Sequence, residues 1–377
     1  MGAGSTGPEL TRRARRALDW LFDAALPVSL AHARNPAGGW HDRLDDDLRP
    51  TDAPMRLLVQ MRQVFVFAEA GRLGWPGPWR DGMEHGLSFL RERAAGPDGR
   101  LARTFDASGA VLDAQVDLYT CAFVLLGLAT AFAATGDAAH RHAAAGLRQK
   151  LQDRLAHRRY GFRDLDGGLR ANPNMHLFEA FLHWADADRD PTWTMLADAQ
   201  ARLCADRLEV EPGVLHEVFL DDWRPAPPPE GERIEPGHHF EWGWLLHWRS
   251  GADQSLALRL CERAEAAGVD TDRGVAVNLI DPRGTVLDAD ARLWPQTERL
   301  KAALAFREHD ERWTERARQA HDALFRYTEG APEGLWRDVM TPDGRLRPEG
   351  APTSSLYHIT GAISELARAA GVAEARW

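Results

Sequence analysis

Lysine is nearly absent from this chain. Of its 46 basic residues only Lys150 and Lys301 are lysine, and the rest are arginine, a bias that reflects genome composition rather than function. Cysteine is equally sparse. Cys121, Cys204 and Cys261 are far apart and form no CxxC, which excludes a disulfide framework and a zinc ribbon and points to a cytoplasmic setting. There is no basic excess either: the formal net charge is -10, so no positive stripe is available for nucleic-acid phosphates. Glycine-rich loops of P-loop or Rossmann spacing are missing, as are HExxH and GxSxG, so nucleotide-driven chemistry, zincin chemistry and an esterase elbow have no support. The N-terminal residues show no apolar segment ahead of a cleavage site, so no secretory signal is expected. Met1-Gly2 with Thr6 fits a myristoylation pattern too short to carry weight. One long run lacks charge, Leu118 to Gly136, but Tyr119, Thr120, Gly127, Thr130 and Thr135 interrupt it. It reads as a buried core helix rather than a membrane span.

What is present is a repeat. The 377 residues are 44% hydrophobic and 27% charged, enough for a large core. FDASGAVLDAQVDL from Phe105 aligns without gaps on IDPRGTVLDADARL from Ile280, with a fainter copy, MTPDGRLRP, from Met340 and DLDGGL from Asp164 as a fourth. Each reads as a hairpin with Asp and Gly in its turn. The turn glycines Gly109, Gly167, Gly284 and Gly344 stand at multiples of about sixty residues, so six units fill the chain. Between the hairpins, apolar residues recur at helical spacing in about twelve stretches, beginning near Glu9, Pro54, Pro78, Asp113, Asp137, Asn174, Pro191, Gly237, Asp253, Pro295, Glu311 and Ser354. Two helices per unit and six units predict an all-α toroid of six helical hairpins, with the short β-hairpins in loops on one face. An open solenoid would need polar caps, and the last helix is as apolar as the middle ones. No linker divides residues 1–377, and Pro225 to Pro229 reads as a loop, so a single catalytic barrel domain is expected.

Equivalent positions on the inner helices should converge on the axis. Steps of about sixty from His176 reach His238, Glu298 and His358 forwards, and Tyr119 and Arg62 backwards. Glu241 follows His238 by three residues, where a carboxylate can orient the imidazole and raise its basicity. His239 points elsewhere on that helix and reads as structural. Trp294, one turn before Glu298, can offer a flat apolar face to a sugar. Three histidines on three helices could bind zinc if they converge, but no metal is expected. The acidic cluster Asp42, Asp45, Asp46 and Asp47 reads as a solvated charge run rather than a magnesium site. Glycosidases on such toroids use two opposed carboxylates. An axis rich in imidazoles is better suited to moving a carbon-bound proton near neutral pH.

RLLVQMRQVFVFAEAG, ANPNMHLFEAFL, PGHHFEWGWLL, RLWPQTERLKAAL and SSLYHITGAI together resemble the N-acylglucosamine 2-epimerase superfamily, and within it the bacterial D-mannose isomerases and sulfoquinovose isomerases, over about Arg56 to Gly361. The resemblance implies the (α/α)6 barrel, no cofactor, a monosaccharide substrate with neither nucleic acid nor membrane as partner, and a monomer or homodimer. It maps the family's arginine to Arg62, the NPNMH asparagine and histidine to Asn172 and His176, GHxxEW to His238 and Glu241, WPQTE to Trp294 and Glu298, and LYHI to His358. The chain departs from the sulfosugar type at Leu58 and Ser354, where that type carries tryptophan and glutamine. The implied reaction interconverts D-mannose and D-fructose, with D-lyxose and D-xylulose as a second pair, through a cis-enediolate. In it His358 moves the carbon-bound proton and His238 assists ring opening, two roles that could be exchanged. Arg62 stabilises the oxyanion; His176 and Asn172 hold hydroxyls, and Glu298 binds a hydroxyl or tunes a histidine. The same residues could run a 2-epimerisation, and a non-catalytic sugar- or protein-binding homologue is the alternative outside enzymes.

Overall fold

The computed structural model describes residues 6–96, 100–249 and 253–373; the myristoylation match at Met1 and Gly2 lies outside them. Twelve helices are found among the described residues. We number them α1 (Thr6–Trp20), α2 (Leu57–Arg72), α3 (Trp79–Phe89), α4 (Leu118–Thr135), α5 (Ala138–Leu155), α6 (Ala171–Ala187), α7 (Pro191–Leu203), α8 (Pro236–Trp248), α9 (Gln254–Gly268), α10 (Leu293–Ala305), α11 (Glu311–Arg326) and α12 (Ser355–Ala369). The even-numbered helices form an inner ring, each packed on its inner neighbours, and the odd-numbered ones wrap them. α12 takes α1 as its outer partner and packs on α2, so the ring closes. The layer a helix joins follows from its residues. In α2 every residue from Leu57 to Ala70 is buried. Outer helices carry charge, and four of them, α5, α7, α9 and α11, are capped by aspartate: Asp137, Asp190, Asp253 and Asp310 each accept an N–H from the first turn that follows. The charge-free run is α4, capped by Asp117 at one end and stopped by Gly136 in the left-handed region at the other. It is long and apolar enough to cross a membrane, yet it is an inner helix and mostly buried.

The short strands lie on the face where the inner helices begin. Among the described residues, tight turns of one kind recur there about sixty residues apart, starting at Asp45, Asp106, Asp164, Leu220, Asp281 and Thr341. In each, the first N–H donates to the carbonyl four residues on, and the fourth N–H donates back to the first carbonyl. Sequence reasoning found the four with glycine at the left-handed position. The other two place Leu48 (φ 61°) and Trp223 (φ 64°) there, so the glycine signal is missing although the turn is the same. Strands from successive units pair around this rim: Met55–Arg56 with Thr104–Phe105, Leu169–Arg170 with Val218–Phe219, and Ala291–Arg292 with Val339–Met340. Ala351–Pro352 pairs with Arg43–Leu44, closing the rim as α12 and α2 close the barrel.

One expectation on this face is corrected. Asp42 is not part of a solvated run. It is buried, accepts the Arg56 backbone N–H at 2.9 Å and pairs with the Arg56 guanidinium. Asp46 and Asp47 are exposed, as expected of a solvated run, and pair with Arg337 and Arg49.

At the opposite end a buried latch joins α2 to α12. The Glu69 carboxylate takes hydrogen bonds from Arg72 and from Ser364 Oγ, with Arg368 3.5 Å away. Burial alone would raise this carboxyl, but the two guanidinium groups and the hydroxyl pull it down to about 2. A lowered carboxyl stabilises the fold above its unfolded value of 4.5, and that contribution is lost as pH falls towards 2. At 1.36 kcal/mol per pKa unit the contribution is about 3 kcal/mol. Glu69→Gln should therefore lower the unfolding free energy at neutral pH by about 3 kcal/mol. In urea melts the gap from wild type should narrow below pH 4.5; a constant gap down to pH 3 would disprove the assignment.

Candidate active site

The predicted side chains gather where the first two turns of the inner helices meet, a region called the chamber below. Arg62, Phe123, His176, Glu241 and Glu298 are each the sixth residue of their helix, counted from Leu57, Leu118, Ala171, Pro236 and Leu293. In four of these helices, α2, α6, α8 and α10, the side chain two residues earlier holds the helix to a preceding loop. Gln60 bridges Trp40 N and O, Asn174 bridges Phe162, Gln296 bridges Ala276, and His239 accepts the Leu215 N–H. His239 is thus structural. His238 and Tyr119 belong one turn nearer the mouth, so a uniform step of sixty residues selected them in place of Glu241 and Phe123.

The predicted residues form two chains of contacts. In the first, Arg62 donates from Nη2 to Tyr119 Oη at 2.8 Å and from Nη1 to the Ser354 carbonyl at 3.3 Å. Its guanidinium lies 4.1 Å from the centre of the Phe123 ring and 5.0 Å from that of Tyr357. Its Nε is buried with no partner. The Tyr119 ring meets His176 edge-on at 4.9 Å. His176 Nδ1 is 3.4 Å from Glu179 Oε2 and 3.6 Å from Glu241 Oε1. In the second chain, the rings of His238 and His358 lie 5.1 and 5.8 Å from the Trp294 indole. His358 Nδ1 is 2.9 Å from Glu298 Oε1. Asn172, one turn ahead of His176, has a buried Oδ1 with no partner. All nine predicted residues therefore stand at the chamber end of the inner helices.

The expected partner of His238 is a different carboxylate. Glu241 does not orient it; Glu217 does, with Oε1 2.9 Å from His238 Nδ1, while Glu235 Oε2 lies 3.8 Å from Nε2. Glu217 sits between the strands Val214–Leu215 and Val218–Phe219, where no helical period could point to it. Glu179 was missed although His176–Glu179 repeats the spacing of His238–Glu241. Lys301 and Tyr357 were missed as well. Lys301 Nζ is 2.6 Å from Glu298 Oε2, and Tyr357 donates its hydroxyl to Glu179.

These neighbours drive the imidazoles apart. Burial works against charge on His238, but Glu217 and Glu235 overcome it and raise its pKa to about 10, so it is an imidazolium at neutral pH. Burial lowers His358 well below its usual value, and the positive charges of Arg62 and Lys301 lower it further. Burial likewise brings His176 to about 4. Glu179 is held at about 2 by His176 and Lys301 against the effect of burial. Glu241, with neither oxygen hydrogen-bonded, is raised well above the carboxylate range by burial and by Glu298. Two trios place ligand atoms within 4.8 Å of one another, His176–Glu179–Glu241 and Glu217–Glu235–His238. In both, an imidazole–carboxylate contact already accounts for the ring's orientation.

Comparison with known proteins follows the same lines. Residues 38–362 match the family described as N-acylglucosamine 2-epimerase (GlcNAc 2-epimerase). A mannose-6-phosphate isomerase of Rhizobium meliloti (strain 1021) is 39% identical over 96% of this chain and 98% of its own. A D-mannose isomerase of Thermobifida fusca is 28% identical over 73% of this chain and 75% of its own. The structure of a cellobiose 2-epimerase from Spirochaeta thermophila superposes with a TM-score of 0.86 at 21% identity, covering 98% of this chain and 99% of that one.

Proposed function

Because the chain belongs to the N-acylglucosamine 2-epimerase family, we propose that it isomerises a free aldohexose, D-mannose to D-fructose and back, through a cis-enediolate. What carries this reading is the pair of imidazoles in opposite charge states beside Trp294. Titratable groups whose surroundings push their pKa values apart mark the acid and the base. His358 is neutral, donates Nδ1–H to Glu298, and so presents the Nε2 lone pair as the base. His238, a cation with Glu217 behind it, is the acid.

The reaction then runs as follows. As the pyranose opens, the His238 imidazolium gives a proton to the ring oxygen and the C1–ring-oxygen bond breaks. The proton that the O1 hydroxyl loses as C1 becomes a carbonyl returns to His238, and Trp294 lies flat against the sugar between the two imidazoles. His358 Nε2 removes the C2 proton, the C1 carbonyl oxygen gains the electron pair, and the Arg62 guanidinium carries the new charge. The O2 proton passes to O1, and protonated His358 returns its proton to C1, giving the ketose. One base on one face of the enediolate serves both carbons.

The charge around the chamber favours a neutral sugar over a phosphorylated one. Carboxylates outnumber cations there. Five rim arginines are paired with aspartate: Arg56 with Asp42, Arg103 with Asp113, Arg170 with Asp166, Arg292 with Asp338, and Arg347 with Asp290. Arg43 donates instead to the Glu349 and Gly350 carbonyls. Little cationic surface is left for a dianion. The test is proton NMR of D-mannose with the enzyme in D₂O and EDTA. Fructose should appear, with kcat/KM at least about tenfold above that for mannose 6-phosphate, a difference of about 1.4 kcal/mol. Glucose without fructose would replace this reading with 2-epimerisation. Turnover of mannose 6-phosphate alone would overturn the preference for a free sugar.

A further inference from the structure

Lys301 is one of two lysines in a chain that otherwise uses arginine. It is buried on the axis, one turn past Glu298 on α10, with the position of its ammonium fixed from three directions. Nζ lies 2.6 Å from Glu298 Oε2 and 3.7 Å from the centre of the Trp244 indole ring. The Glu298, Glu241 and Glu179 carboxyls all act on its charge. The other oxygen of Glu298 meets His358 Nδ1 at 2.9 Å. One buried carboxylate is thus shared between a lysine packed on the Trp244 ring and the histidine assigned above as the base.

We propose that Lys301 is a positioning residue: by holding Glu298 ionised and turned towards α12, it fixes the His358 proton on Nδ1 and leaves the Nε2 lone pair facing the sugar. This rests on the role given to His358. The physical reason is desolvation. Glu298 is fully buried, and a carboxyl taken out of water without a cation takes up a proton. A protonated Glu298 would donate to Nδ1 instead of accepting from it. The imidazole would then carry its hydrogen on Nε2, where the base needs a lone pair. A compact ammonium suits the place. It gives one donor to Glu298 while keeping its charge on the indole face, whereas a planar guanidinium needs a wider, in-plane set of acceptors.

A lysine that only neutralised the core would leave the tautomer of His358 indifferent to its removal, so the tautomer is the readout. In the full-length protein labelled with ¹⁵N-histidine, the His358 signals are those lost in His358→Gln. In the wild type they should show a protonated Nδ1 and a pyridine-type Nε2. In Lys301→Met the pattern should invert, and kcat for the sugar should fall at least about tenfold with KM unchanged, the range open to a misplaced acid–base group. A wild-type signal with the hydrogen on Nε2, or a folded Lys301→Met that keeps the wild-type pattern, would overturn the proposal. Should Lys301→Met fail to fold, the Glu298→Ala/Lys301→Met double variant removes both charges. It should be no slower than Glu298→Ala, because the two side chains act as one unit. A further tenfold loss in the double variant would count against it. The NMR arm needs no turnover, so a failure to find the sugar substrate leaves this inference decidable.

Discussion

His358→Ala should lower kcat on the sugar by about 10²–10⁴-fold, the range of a general acid–base group, with the fold retained. The loss is set by chemistry rather than packing. His358 contributes a neutral imidazole whose Nδ1 is engaged with Glu298, which leaves Nε2 for the proton transfer. His176, also neutral, is turned onto Glu179 and Glu241 across the chamber. His238→Ala should also cost at least about 10²-fold, but the two variants should differ in isotope exchange. Without His358, deuterium from solvent should no longer enter at C2. Without His238, exchange should persist on whatever open-chain sugar forms unaided. Activity that depends on the His238 cation should persist until the pH rises through about 10, and a fall near 6.5 would mean that Glu217 does not hold the proton there. Near-normal turnover in folded His358→Ala would remove it from the reaction.

The sequence was informative where physics repeats and silent where it does not. Twelve helices and a closed ring follow from apolar periodicity and from turns about sixty residues apart. The structure contains two more copies of that turn, hidden because Leu48 and Trp223 occupy the left-handed position that glycine marks elsewhere. Register was less legible. The loop between α7 and α8 is long, and α8 begins 65 residues after α6 (Ala171 to Pro236), so a fixed step of about sixty from His176 lands on His238 rather than on its structural equivalent Glu241. Both face the chamber, but at different depths and with different partners. The carboxylate that holds His238, Glu217, comes from the strand-bearing loop, where no helical spacing selects it. Lys301 was readable in principle, three residues after Glu298 on one helical face, but a single lysine on an apolar helix carries no signal until its burial is known.

Arg62→Met should cost about 10²–10³-fold in kcat, the usual effect of removing a donor to a developing oxyanion, while KM for the sugar changes little. The argument starts from what Arg62 does in the free protein. Of its guanidinium donors, Nη2 holds Tyr119 Oη and Nη1 holds the Ser354 carbonyl, while Nε is buried without a partner. A buried donor left unpaired is a cost the fold bears unless a ligand satisfies it. The Phe123 and Tyr357 rings flank the group and exclude water, so its charge acts across a medium of low polarity. A carbonyl oxygen in the open-chain sugar gains little from it, whereas the enediolate oxygen, with a full charge, gains much. That difference appears in kcat rather than in KM. Arg62→Lys should recover little of the loss, because an ammonium gathers its donors on one nitrogen and cannot span the separate positions that Nη1, Nη2 and Nε reach. Steady-state kinetics on D-mannose, paired with calorimetric binding of the sugar, distinguish the cases. A rise in KM at unchanged kcat would make Arg62 a binding group and leave the oxyanion without its stabiliser.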